Sequence, residues 1–270
     1  MADHLTELQF VEGFNQKKFK NLPSHLQKFI ILLNNNSPLD DDCVITCFDK
    51  TESVPPHADY KLIVHNKKQK PLRDVEIKFK QKVKKVSLKS GNGNSTHQII
   101  WFKWKKLLEH FNATEKEIEA FNNFLHSRDT KYFKEDGEEC EKYNFTKDHP
   151  EFNDNHSNQK KRMQKFLDKN EKQLLEHFLK KGWGSKEGWA EYIFHGKKND
   201  ILSDSKFGKM DSWIKDIIKT SRQKRETSSR GSADLYLGVC SVQRWNVCPE
   251  NKSKLDSIQA KIDTATNMLK

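Results

Sequence analysis

Val83-Lys-Lys-Val-Ser-Leu-Lys89, running directly into Ser90-Gly-Asn-Gly-Asn-Ser-Thr-His-Gln98, is the stretch on which the reading of this chain turns. Its first part has strand character, and the period of two sends Val86 and Leu88 to one face and Ser87 and Lys89 to the other. The Gly/Asn loop ends that strand and offers main-chain N–H groups to an anion. Beyond it, Ile100, Trp104, Leu107, Leu108 and Phe111 fall on one face of a helix. A strand, a glycine loop and a helix in that order predict an α/β protein.

Upstream of it, Cys43 to Phe48, Tyr60 to Val64 and Val75 to Phe79 are further β-like runs separated by polar turns, so a central sheet is expected. Residues 23 to 33 predict a helix with proline near its first turn. Thr114-Glu-Lys-Glu117 has the form of a capping box, followed by an apolar stripe of Ile118, Phe121 and Leu125. Residues 127 to 160 are polar and charged with few aliphatics, which predicts a long surface excursion. A helix is expected over about 160 to 180, stopped by Gly182-Trp-Gly184, then a strand from Ala190 to Phe194. Met210, Trp213, Ile214, Ile217 and Ile218 predict another amphipathic helix, after which residues 220 to 232 read as polar, basic and mobile. Leu235, Leu237 and Val239 alternate as a strand, as do Ile258, Ala260 and Ile262, and together they predict a long hairpin. Trp101, Trp104 and Trp213 sit among apolar neighbours at helical spacing and are expected in the core.

The chain has 270 residues, enough for one sizeable core, and is read as a single domain. Its 49 Lys and Arg against 38 Asp and Glu give a net charge of +11, a field that attracts polyanions, nucleic acid first. The five cysteines form no CxxC pair and no zinc spacing, so free intracellular thiols are expected. Without a signal-like N-terminus or a long apolar run, the protein is expected to be soluble, cytoplasmic and away from membranes.

Hydrolysis of a phosphodiester calls for a carboxylate to hold a divalent ion and a cation near the attacking water or the transition-state oxygens. Asp59, at the start of the apolar strand Tyr60 to Val64, and Lys89 could supply them from neighbouring strands. Glu76-Ile77-Lys78 offers a competing Glu-x-Lys pair, and the residues alone do not choose between the two. Lys89 also fits a plain solvent-facing lysine in a Lys-rich strand.

Asp59 with Ser87-Leu-Lys89 and the 90 to 98 loop resembles the PD-(D/E)XK pattern of small type II restriction endonucleases. Gly13-Phe14, His156-Ser-Asn158 before Lys161-Arg-Met163, Gly182-Trp-Gly184, Ser241-Val-Gln-Arg244 and Ile258 to Ile262 resemble, in the same order, segments of the subgroup that cuts GCGC. The resemblance implies a mixed central β-sheet flanked by helices, one endonuclease domain over residues 1 to 270. A polar insertion lies around 127 to 160 and a C-terminal DNA-reading hairpin around 234 to 264. It implies a bacterial, cytoplasmic enzyme, monomer or homodimer, that cuts double-stranded DNA with Mg²⁺ to leave 5′-phosphates, accompanied by a DNA methyltransferase acting on the same site.

Carried over residue by residue, Asp59 would be the metal-binding acid, Ser87 would stand at the D/E position as a neutral ligand, and Lys89 would be the motif lysine. The GCGC-cutting subgroup has an amide where this chain has Ser87. Metal binding is then expected to lean on the DNA phosphate. A further acid from the N-terminal helix would come from Glu12, with Gln16 as the other position. Ser90, Asn92, Asn94, Ser95, His97 and Gln98 are candidate DNA contacts on the loop. Gln243, Arg244 and Asn246, with Gln259 and Lys261 on the facing strand, are candidate base readers, since amides and basic side chains pair with base edges in the major groove. Trp245 stands where the subgroup has lysine. A nicking or repair nuclease, or a non-catalytic basic nucleic-acid-binding protein, are the alternative readings.

Overall fold

The computed structural model describes residues 4–49, 75–79, 82–91, 99–126, 132–133, 139–140, 150–182, 186–197, 200–227, 235–245 and 257–269. Its strands are β1 (Lys17–Lys18), β2 (Val44–Asp49), β3 (Val75–Phe79), β4 (Lys82–Ser90), β5 (Ile99–Ile100), β6 (Tyr132–Phe133), β7 (Glu139–Cys140), β8 (Tyr192–Gly196), β9 (Lys206–Lys209), β10 (Leu235–Leu237), β11 (Cys240–Trp245) and β12 (Ser257–Lys261). By contact the chain parts into two compact units, each built from separated segments. One comprises Met1–Asn94, Glu176–Ile217 and Asp263–Lys270, and the other Ser95–Leu175 and Ile218–Ile262.

The first unit carries a six-stranded sheet in the order β1-β2-β3-β4-β8-β9. Its pairs are antiparallel except β4 with β8, which run parallel, so the sheet is mixed as expected. Strands β2, β3 and β4 lie where alternation places them. The expected strand Tyr60 to Val64 falls outside the described residues.

One face of this sheet is covered by the helices His4–Phe14 and Ser24–Leu33. In the second helix Leu26, Phe29, Ile30 and Leu33 are buried, the one-stripe pattern of an amphipathic helix, and Pro23 precedes its first turn. Phe10 and Phe14, one turn apart, meet Phe29 and Phe194. The Phe10–Phe194 and Phe29–Phe194 centroids are both 4.9 Å apart, within the range of favourable edge and tilted ring contacts. Val86 and Leu88 of β4 point into this cluster, so Ser87 and Lys89 face the other way. Trp213, on the helix Met210–Glu226, is buried as expected, and its Nε1 donates to Ala265 O at 2.8 Å.

In the second unit β10, β11, β12 and β5 form an antiparallel sheet. The helices Trp101–His110 and Glu115–His126 bury Trp101, Trp104, Phe121 and Leu125, as the spacing predicts. The capping box forms: Thr114 N donates to Glu117 Oε2 at 2.7 Å, and Glu117 N donates to Thr114 Oγ1 at 3.3 Å.

Four expectations about elements need correction. The surface excursion ends earlier than its composition suggests, because the helix Pro150–Lys169 takes in its final part, starting on a proline well suited to a first turn. The helix expected over 160 to 180 is broken at Asn170, resumes as Glu171–Glu176 and closes in a π-helical turn, His177–Lys181. There Gly182, at φ 54°, donates its N–H to His177 O.

Residues 220 to 226, read as mobile, continue the helix Met210–Glu226. Ser221 and Arg225 lie one turn apart and both bind the buried Glu171 carboxylate: Ser221 Oγ at 2.6 Å and Arg225 Nη1 at 2.9 Å, with Arg225 also 2.9 Å from Asp168. A charge withdrawn from water needs such partners, and here they extend a helix through a polar stretch.

The late hairpin, finally, does not join Leu235–Val239 to Ile258–Ile262. Gly238, at φ 66°, allows a two-residue turn that pairs Leu237 with Cys240, and β11 then lies between β10 and β12.

Cys43, Cys47 and Cys240 are free thiols. Among the described residues no helix is long and apolar enough to cross a membrane.

Candidate functional site

The face of the first unit's sheet turned away from the phenylalanine core carries Ser87 and Lys89. In the parallel register Ser87 pairs with Ile193 and Lys89 with His195, and across the next junction His195 pairs with Lys206. Direct register partners share a face, so Lys89, His195 and Lys206 form a row across three strands, spanning on the order of 10 Å at the usual strand spacing. All three are half-buried, whereas Ser87 is buried with only 1% of its surface exposed. Two lysines flanking an imidazole make this edge attractive to a phosphate.

The ends of β4 and β8 are tied together beyond that row. Gly91 N donates to Gly196 O at 3.0 Å, and His195 Nε2 lies 3.3 Å from Gly91 O. Gly91 sits at φ 77°, a conformation that glycine adopts without strain, so the chain turns sharply out of the strand two residues after Lys89. Gly196 is fixed for a different reason: a Cβ there would lie 1.9 Å from Ile201 O. Burial holds the His195 imidazole below its ordinary pKa. The Gly91 carbonyl opposes that shift, Lys206 adds to it and Asp263 opposes it.

The remaining sequence-derived positions divide as follows. Ser90 closes β4, beside the tied strand ends. Asp59, Asn92, Asn94, Ser95, His97, Gln98 and Asn246 lie outside the described residues. Glu12 and Gln16 are exposed at the end of the helix His4–Phe14. Gln16 adopts φ 56° and donates its main-chain N–H to Ile45 O at 2.8 Å. Glu76 pairs with Lys85 and Lys78 with Val83, so the competing Glu-x-Lys pair occupies the strand next to β4; for these two and for Arg244 the backbone alone is described.

Gln243, Gln259 and Lys261 belong to the second unit. Gln243 pairs with Gln259, as the facing-strand expectation requires, and Ser241 pairs with Lys261. Val242, Ala260, Leu235 and Ile99 fill the opposite, apolar face. Gln243 and Lys261 are half-buried, but Gln259 is buried to 1% exposure. That departs from the exposed polar face that alternation predicts, because alternation separates faces without saying how far each is covered.

The crystal structure of restriction endonuclease MspI in complex with its cognate DNA is similar to this chain, with a TM-score of 0.55 and 11% identity, covering 94% of this chain and 87% of that one. The fold is similar to that of a restriction endonuclease. At this identity the likeness is one of architecture, and it spans nearly the whole chain. No protein-family model matches the chain, and no curated protein matches it in sequence. Within this fold His195 is the residue of the row Lys89, His195 and Lys206 that sequence reasoning missed. Its strand reads as a continuous apolar run, Tyr192-Ile-Phe194, which does not reveal which face the next residue takes.

Among the described residues no group of three or more His, Cys, Asp or Glu side chains is placed to hold a metal ion. Strand β4 contributes the Ser87 oxygen, a hard but uncharged donor.

Proposed function

We propose that this protein is a PD-(D/E)XK type II restriction endonuclease that hydrolyses phosphodiester bonds within a short, specific double-stranded DNA sequence, leaving 5′-phosphates. The observation that carries the reading is the placement of Ser87-Leu-Lys89: the strand buries Leu88 in the core and turns the half-buried Lys89 to the opposite face, beside His195, in a fold similar to that of a restriction endonuclease.

In this reading Asp59 and Ser87 would hold Mg²⁺ together with the DNA phosphate. Bound there, the ion supplies a polarised phosphate and a more acidic water. Lys89 orients that water or neutralises the charge that develops on the phosphate oxygens, a role in which fixed positive charge in a partly dry site is most effective. Lys206 extends the positive edge toward the flanking phosphate. With one carboxylate and one neutral oxygen, the free protein would bind magnesium weakly and would need the DNA phosphate to complete the site.

Reading of base edges falls to Gln243 and Lys261 on the polar face, with Asn246, while Gln259 is buried away from solvent and Arg244 takes the register position of the buried Ile258. Ser90, Asn92, Asn94, Ser95, His97 and Gln98 contact the DNA near the cut. GCGC is the first target to test, and a methyltransferase of the same specificity would protect the cell's own DNA. Incubation of unmodified supercoiled plasmid with the purified protein and Mg²⁺ separates the readings. Discrete linear fragments with 5′-phosphates support a restriction enzyme, nicked circles alone indicate a nicking or repair nuclease, and intact plasmid that is nonetheless bound indicates a non-catalytic DNA-binding protein.

A further inference from the structure

Three features converge on His195. It is the direct cross-strand partner of Lys89, on the same face of the sheet. Its ring nitrogen reaches the carbonyl of Gly91, the residue at which the chain leaves β4. Its own position is fixed from behind, because Gly196 donates no room: the Ile201 carbonyl fills the space where a Cβ would stand, and the Gly196 carbonyl accepts the Gly91 N–H. One side-chain bond and one main-chain bond therefore clamp the segment 89–91 to the segment 195–196. Lys89 is the only member of that segment with a charged end, and the clamp limits how far its backbone can tilt.

We propose that His195 is a positioning residue of the centre: by binding the Gly91 carbonyl beside its register partner Lys89, it holds the end of β4 in the one stance that aims Lys89 at the scissile phosphate. This rests on the nuclease reading above. A cap that merely stabilised the strand end would lower stability and leave the rate of the bound complex untouched. A positioning role moves kcat, because misplacing a group by about 1 Å can cost on the order of a hundredfold in rate.

The test uses the full chain with His195→Ala, His195→Gln and His195→Asn. The glutamine amide nitrogen reaches as far as the imidazole Nε2 and can donate to the same carbonyl, whereas the asparagine amide falls short of it. His195→Ala is expected to lower kcat for plasmid cleavage by at least about tenfold with KM within roughly twofold, and His195→Gln to recover to within about threefold of the unmutated protein. Amide exchange at residues 89–91 should quicken in His195→Ala and return toward the original rate in His195→Gln. Should the alanine variant fail to fold, the comparison passes to glutamine against asparagine, with the asparagine variant the slower. An unchanged kcat in His195→Ala, or a glutamine variant as slow as the asparagine variant, overturns the proposal. If the unmutated protein cleaves no DNA, the nuclease reading fails on its own. Amide exchange then decides the clamp: exchange at 89–91 unaffected by His195→Ala overturns it, and quickened exchange reversed by glutamine supports it.

Discussion

Lys89 and His195 are direct partners across the parallel junction of the six-stranded sheet, and the His195 imidazole is held below its ordinary pKa chiefly by burial. A histidine with a depressed folded-state pKa binds fewer protons folded than unfolded between that value and about 6.5, so folding stability rises with pH across this window. Its contribution is complete above the unfolded value and is lost as pH falls toward the folded one. The expected result is a larger drop in melting temperature between about pH 7.5 and pH 5.5 for the unmutated protein than for His195→Gln. Parallel pH curves for the two proteins would contradict the environment described for His195.

Gly196 illustrates a position where a methyl group is too much. The Ile201 carbonyl oxygen stands 1.9 Å from where a Cβ would be, and main chain cannot swing aside as a side chain can. Gly196→Ala should therefore cost about 3 kcal/mol by overpacking, read as a shift in urea midpoint, and should reduce cleavage along with stability because the strand end beside His195 must move. A variant as stable as the original would mean that the loop after β8 relaxes freely.

Arg225 holds two carboxylates at once, 2.9 Å from both Asp168 and Glu171, and Glu171 is buried. Removing the cation leaves an uncompensated buried charge, so Arg225→Ala is expected to destabilise by on the order of 3 kcal/mol. Circular dichroism should also show loss of helix from the end of Met210–Glu226. Replacing Arg225 and Glu171 together by apolar residues should recover much of that loss, since the pair's attraction largely offsets its own desolvation.

Gln243 lies on the polar face of the second sheet, opposite Gln259. If it reads a base edge, Gln243→Ala should relax discrimination at one base position by about 1–3 kcal/mol while leaving the salt dependence of binding unchanged. Sequencing the ends of plasmid fragments from both proteins measures this. A uniform loss of affinity across all sequences would instead mark a phosphate contact.

Much of the sheet was legible because its signals are local. The alternation of Val86, Ser87, Leu88 and Lys89 gives both the strand and the facing of its residues. Trp104 and Trp213 declare their burial by helical spacing alone. What the sequence hides is information that resides in a distant partner. Residues 220 to 226 look like a solvated basic linker until Glu171 is placed beside Ser221 and Arg225. Leu235 to Val239 reads as one strand because a single glycine does not announce whether its φ is positive. Gln259 alternates correctly, and its burial depends on packing that alternation does not encode. His195 is the clearest case. Nothing in Phe194-His195-Gly196 connects it to Lys89, because that link is a parallel pairing between segments more than a hundred residues apart in the chain.

Lys89, on the face of β4 turned away from the phenylalanine core, is assigned to phosphodiester hydrolysis. Cleavage of unmodified supercoiled plasmid by the unmutated protein and by Lys89→Ala, with Mg²⁺ and with chelator, tests it most directly. Discrete magnesium-dependent cutting is expected, falling by at least about a hundredfold in Lys89→Ala, the scale of removing one stabiliser of transition-state charge, while DNA binding persists. Intact plasmid with the unmutated protein, or undiminished cutting by Lys89→Ala, would contradict it.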